Sequence, residues 1–163
     1  MPRIPDLLTT ANLSCGVGSI LLASQGQLTL ACWLVFAGAF FDVLDGMVAR
    51  AMGGGNAFGK QLDSLADMVT FGVAPGMILW SSHLSRAWSK YLGHVDQGGP
   101  YAELQPSALV AISAIVLCIA SAWRLAKFNV DSKQANGFLG LPTPANGLFW
   151  SSMTLKTQNT HLI

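Results

Sequence analysis

The sequence predicts an all-α integral membrane protein, a polytopic transmembrane helical bundle, and three observations carry that prediction. Only 10% of its 163 residues are charged and 52% are hydrophobic, whereas soluble domains carry roughly 25% charged residues. Four stretches, residues 7–41, 68–85, 104–123 and 134–155, contain no Asp, Glu, Lys or Arg. Runs of about 20 apolar residues are what a helix needs to cross a bilayer, and a helix satisfies its own backbone there.

The first span is expected over residues 10–24, ending at the polar turn "SQGQ". The second, residues 28–52, must stop at "GGGN", because successive glycines disfavour helix and favour turns. Asn56 is a candidate N-cap for a third span reaching residue 82, whose internal "GVAPG" marks a kink or a close-packing point. Residues 84–105 are mixed and polar and read as an external loop or a short interfacial helix. A fourth span covers residues 106–128. After the polar "NVDSKQANG", "FLGLPTPANGLFW" opens a fifth, but the chain turns polar at "KTQNTHLI" after roughly ten apolar residues, too few to cross. The expectation is four full spans and a partial fifth, in one domain over residues 1–163 that is C-terminally incomplete.

The opening "MPRIPDLL" is a poor signal peptide, because the apolar region after it is too long. Cys15, Cys32 and Cys118 lie in apolar segments without paired spacing and read as packing residues. A net charge of +1 and the lack of a basic aromatic patch give no sign of nucleic acid. Lys and Arg placement predicts a cytoplasmic N-terminus, with Arg3, Arg50, Lys60, Arg124, Lys127 and Lys133 inside and Arg86 and Lys90 outside. The glycine turn between spans 2 and 3 is then cytoplasmic.

Half of the eight acidic residues sit in one apolar region, as Asp42, Asp45, Asp63 and Asp67. Helical positions three, four and seven apart share a face. Asp42, Asp45, Gly46 and Ala49 have that spacing, and Gly59, Asp63 and Asp67 step by four. Asp45 and Asp63 are equally far from Gly54, about 13 Å at ~1.5 Å per residue. An antiparallel hairpin therefore sets two carboxylates opposite two others. Four close carboxylates must be protonated, paired with protein cations or bound to metal. Arg50 and Lys60 are too few to neutralise them; two Mg²⁺ or Mn²⁺ ions would, and such ions suit all-oxygen ligands. Gly46, Ala49 and Gly59 remove side-chain volume beside the acids, which admits a ligand or, equally, close helix packing.

The pattern D-x2-D-G-x2-A-R-x8-G-x3-D-x3-D, met by Asp42, Asp45, Gly46, Ala49, Arg50, Gly59, Asp63 and Asp67, resembles the signature of the CDP-alcohol phosphatidyltransferases. "FGVAPG", "WRLAKFNV", "FLGLPTPAN" and "IPDLLTTANLSCG" look like the phosphatidylserine synthase branch of that family, and the likeness runs to about Asn146. The resemblance implies a six-span bundle, a homodimer, and a cytoplasm-facing site in the plasma membrane. It implies phosphatidyl transfer from CDP-diacylglycerol to L-serine, with release of CMP. Asp42, Asp45 and Asp63 would hold metal, and Asp67 would be the general base and touch an ion as well. Gly46, Ala49 and Gly59 would line the CDP-lipid site with Arg50 at its phosphates, and Thr9 and Asn12 are weaker candidates there. Arg124, Lys127 and Asn129 would recognise the serine carboxylate or, on the plainer reading, anchor span 4 at the inner membrane surface. The rivals are a relative using glycerol phosphate or inositol phosphate, and a cation channel or transporter, which leaves the spaced glycines, alanine and arginine without a role.

Overall fold

The computed structural model describes residues 4–54, 57–83, 108–130 and 143–160, with side chains at 111–127 and 143–157 in the last two stretches. All of them form helices or tight turns; no strand occurs among the described residues. The helices are α1 (Ile4–Ser24), α2 (Leu28–Ala51), α3 (Ala57–His83), α4 (Ala108–Val130) and α5 (Thr143–Thr160). α1, α2 and α3 are each long and apolar enough to cross a membrane. Apolar side chains such as Trp33, Phe40, Ile115 and Trp123 face outward, as they do where lipid rather than water surrounds a bundle. The chain is an integral membrane protein. The Asn56 cap, the loop at 84–105, and Arg3, Arg86, Lys90 and Lys133 lie outside the described residues.

α1 begins at Ile4, not near residue 10 as the sequence predicts. The polar "PDLLTT" is compatible with helix for identifiable reasons. Pro5 sits in the first turn, where no N–H is needed, and Asp6 meets the positive end of the helix. The hydroxyl of Thr10 donates to the carbonyl of Asp6 at 2.7 Å, and Thr9 Oγ1 lies 3.0 Å from Pro5 O. Two reversals then fold the chain back on itself. Gly26 (φ +77°) lets Gln27 N–H reach Leu22 O at 2.9 Å, and Gly53 (φ +88°) lets Gly54 N–H reach Ala49 O at 2.9 Å. Both use a glycine in the left-handed region to satisfy the last helical carbonyls.

The "GVAPG" signal in span 3 takes the form of a π-helical segment, Met68–Val73, inside α3. Pro75 has no N–H to give Phe71 O, and Ala74 N–H reaches back five residues to Val69 O. α5 is an 18-residue helix that runs on through "KTQNT", so the loss of hydrophobicity expected to end the fifth span does not end the helix.

α1 and α2 pack as an antiparallel hairpin with α3 against both. At the Gly26 end they enclose an apolar core of Ala23, Leu28, Ala31, Cys32, Val35, Phe71, Ala74 and Ile78. Ser19 Oγ donates to Ala31 O at 2.8 Å across it. Cys15, Cys32 and Cys118 are free thiols, as expected of packing residues. Glycines set the helix spacing. A Cβ at Gly147 would lie 2.9 Å from Phe71 Cα, and one at Gly76 3.2 Å from Cys118 Sγ.

Candidate active site

The other end of the hairpin carries the acids. Beyond the Gly53–Gly54 reversal α3 packs on α1, and its Asp63 and Asp67 meet Asp42 of α2. One oxygen from each of Asp42, Asp63 and Asp67 falls within a sphere of mutual separations under 4.8 Å. Asp67 is buried and Asp42 and Asp63 are half-buried.

Asp45 stands slightly apart from this trio. It is buried, and Thr9 Oγ1 donates to its Oδ2 at 2.6 Å. With Asp63 it lines a cavity of about 380 Å³ that also includes Thr9, Gly46, Ala49 and Gly59. A Cβ at Gly46 would meet no atom within 4 Å, so this glycine keeps the cavity open and does not serve close packing. The two sequence readings of the small residues are separated at that position: Gly46 borders space.

Other candidates fall elsewhere. Arg50 is exposed and is not among the residues lining the cavity. Asn12 is fully buried outside the cavity, and its Nδ2 faces Asp67 Oδ1 at 3.4 Å. Arg124 Nη1 donates to Thr143 Oγ1 at 3.4 Å, joining α4 to the start of α5. Lys127 is exposed on the same helix, and of Asn129 the structure describes the backbone alone. Sequence reasoning passed over Pro5, Asp6 and Lys60 as cavity walls. It also missed Thr70, which donates to Asn12 O at 3.1 Å from the centre of the bundle.

The donor set fits a divalent cation. Asp63 Oδ1 is buried with no hydrogen-bond partner, and an unsatisfied buried carboxylate oxygen is costly. Three converging carboxylates offer hard oxygen ligands of the kind Mg²⁺ and Mn²⁺ take. Beside them is room for a small polar group bordered by glycine and alanine.

The sequence profile of the CDP-alcohol phosphatidyltransferase family matches residues 3–159. The archaetidylserine synthase of Methanothermobacter thermautotrophicus is 38% identical over 154 residues, covering 93% of this chain and 58% of that protein. The CDP-diacylglycerol–serine O-phosphatidyltransferase of Helicobacter pylori is 37% identical, covering 98% of this chain and 60% of its own length. The protein of that name from Bacillus subtilis is 32% identical, with 91% and 73% covered. The chain thus spans about three-fifths of the first two relatives.

Proposed function

Because the chain belongs to the CDP-alcohol phosphatidyltransferase family, we propose that it transfers a phosphatidyl group from CDP-diacylglycerol to L-serine, giving phosphatidylserine and CMP. The observation that carries the chemistry is the convergence of Asp42, Asp63 and Asp67 beside a cavity walled by Gly46 and Ala49. Serine as acceptor rests on the names of the relatives.

Asp42, Asp45, Asp63 and Asp67 would hold two divalent cations, Mg²⁺ or Mn²⁺, which when bound neutralise charge on a pyrophosphate and aid departure of CMP. The cavity between Asp45 and Asp63 would take the pyrophosphate and the sugar, with Gly46, Ala49 and Gly59 letting it approach the helix backbone. Thr9 keeps Asp45 turned toward that cavity. Asp67 would accept the proton of the serine hydroxyl. The new bond joins the serine oxygen to the phosphorus bearing diacylglycerol. The bond from that phosphorus to the bridging oxygen breaks, and CMP carries away its electron pair.

Arg124 would take the serine carboxylate. Gly72 packs on Ser121 and Gly76 on Cys118, so α4 runs antiparallel to α3. Arg124, one turn beyond Ser121, is then level with the turn that follows Asp67. Its guanidinium has five N–H donors, and Thr143 takes one. Lys127 and Asn129 lie further toward the same end and would supply charge and a hydrogen bond there. Arg50, exposed and outside the cavity lining, would meet phosphate only if the lipid headgroup extends beyond the cavity.

The same reading takes α4 as a fourth span, since 23 residues suffice to cross. It sets the carboxylate end toward the cytoplasm, where Arg50, Lys60, Arg124 and Lys127 gather, in the plasma membrane and as a homodimer. The deciding experiment is CMP release from CDP-diacylglycerol by the purified protein in detergent micelles. Release should require both L-serine and Mg²⁺ or Mn²⁺. Release driven by glycerol phosphate or inositol phosphate and not by serine would refute the acceptor, and cation flux without CMP release would refute the enzyme.

A further inference from the structure

We infer that Asn12 and Thr70 are positioning residues that hold the Asp67 carboxylate in its direction by tying α1 to the π-helical segment behind it. The inference rests on the reading of Asp67 as the base.

The side chain of Asn12 is fully buried in the bundle, where a primary amide is expensive unless it is bonded. Its Nδ2 donates to Asp67 Oδ1 at 3.4 Å, long for such a bond. The orientation is dictated by chemistry, since turning the amide over would set its oxygen against the carboxylate. Asn12 Oδ1 is left buried and without a partner. An asparagine kept there at that cost serves its donor end, and that end faces the acid.

Thr70 closes the circuit. Its Oγ1 donates to the backbone oxygen of Asn12 at 3.1 Å, and its own exposure is nil. Asp67 and Thr70 stand three residues apart on α3. The turn that carries the acid is therefore bonded to the residue that directs the acid. The π-helical widening of Met68–Val73 begins at the residue after Asp67 and includes Thr70.

Two glycines make the circuit sterically possible. A Cβ at Gly16 would collide with Thr70 Oγ1 and come within 2.9 Å of Thr70 Cα. A Cβ at Gly38 would lie 2.5 Å from Thr70 Cγ2 and 2.9 Å from Asn12 Oδ1. One glycine comes from α1 and one from α2, so all three helices close on the Thr70 side chain. Packing alone would be served as well by valine. The hydroxyl and the amide together point to a polar purpose.

The test compares Thr70→Val, Thr70→Ser and Asn12→Leu with the parent, each purified in detergent micelles and checked for its thermal unfolding midpoint. Two quantities are read: steady-state turnover, and Mn²⁺ affinity by calorimetry without substrate. Thr70→Val should lower kcat ~10-fold and Asn12→Leu ~100-fold, with both KM values changed less than ~3-fold, because a misdirected base affects the transition state and not substrate binding. Thr70→Ser should return kcat to within about twofold of the parent, and the double variant should be no worse than Asn12→Leu alone, since both act through one carboxylate. Mn²⁺ affinity should fall in Asn12→Leu and hold in Thr70→Ser. Raised KM with unchanged kcat, a serine variant as poor as valine, multiplicative losses in the double variant, or unaltered Mn²⁺ affinity in Asn12→Leu would each overturn the inference. Should valine prevent folding, Thr70→Ala decides by the same criteria. A normal Asp67→Asn enzyme would instead overturn the base reading, whereas an inactive Asp67→Asn beside an unaffected Thr70→Val overturns the positioning role alone.

Discussion

The two ends of the α1–α2–α3 bundle use the same hairpin construction for opposite purposes. At the Gly26 end the helices bury Cys32, Val35, Phe71 and Ile78 against one another, and the hydroxyl of Ser19 is bonded to Ala31 O. At the Gly53–Gly54 end the same helices bury Asp45 and Asp67 and leave Asp63 Oδ1 unpartnered beside a cavity. Apolar side chains fill one end, and carboxylates border a cavity at the other. Thr70, Gly16 and Gly38 sit at the boundary, where the helices are closest. Carboxylates that repel one another when charged are thus carried on helices whose other ends are packed together through apolar side chains.

Asp67→Asn should do the most damage at the carboxylate end. It removes the proposed base and one of the charges in the trio while nearly conserving volume. Turnover should fall ~1,000-fold or more, with CDP-lipid binding largely kept, as expected when an interaction made only in the transition state is lost. In the absence of divalent cation the unfolding midpoint should stay level or rise, because one of several mutually repelling charges has gone. A large drop in the midpoint would mean that the carboxylate end is structural after all.

The converse test lies at the apolar end. Ile78 is 1% exposed within the core. Ile78→Ala should cost ~2–5 kcal/mol of stability through lost contacts and the cavity left behind, read as a lower midpoint in detergent. The kcat of the molecules that remain folded should be unchanged. If kcat falls as steeply as stability, the two ends of the bundle are not separable.

Much of the carboxylate end was legible in the sequence, because helical spacing and a glycine turn convert directly into apposition. Steps of three and four put Asp42 with Asp45 and Asp63 with Asp67 on common faces, and "GGGN" fixed where the hairpin reverses. What the spacing could not give was which oxygens converge: Asp42, Asp63 and Asp67 form the trio and Asp45 turns to Thr9. The start of α1 was misjudged because threonines read as polar, although Thr10 satisfies its hydroxyl on the preceding turn and Thr9 satisfies its own on Asp45. Thr70 was invisible for a related reason. One threonine in an apolar helix is unremarkable, and its partner Asn12 is 58 residues away in sequence. A π-helical segment has no sequence period of its own; Pro75 was the one available signal.

The smallest change that sharpens the contrast is Gly46→Ala. In a helix interior glycine is ~1 kcal/mol less favourable than alanine, and a Cβ at this position would touch nothing within 4 Å. On fold alone the substitution should therefore stabilise the protein by about that amount, raising the unfolding midpoint. Yet Gly46 borders the cavity between Asp45 and Asp63, so the added methyl enters space assigned to the CDP-lipid headgroup. KM for CDP-diacylglycerol should rise ~10-fold, the scale of one misplaced methyl in a fitted pocket, with kcat and the serine requirement little altered. Stability and substrate affinity moving in opposite directions would mean that the gap beside the acids is kept for a ligand at the expense of the fold. Affinity unchanged by the methyl would mean that the headgroup lies elsewhere.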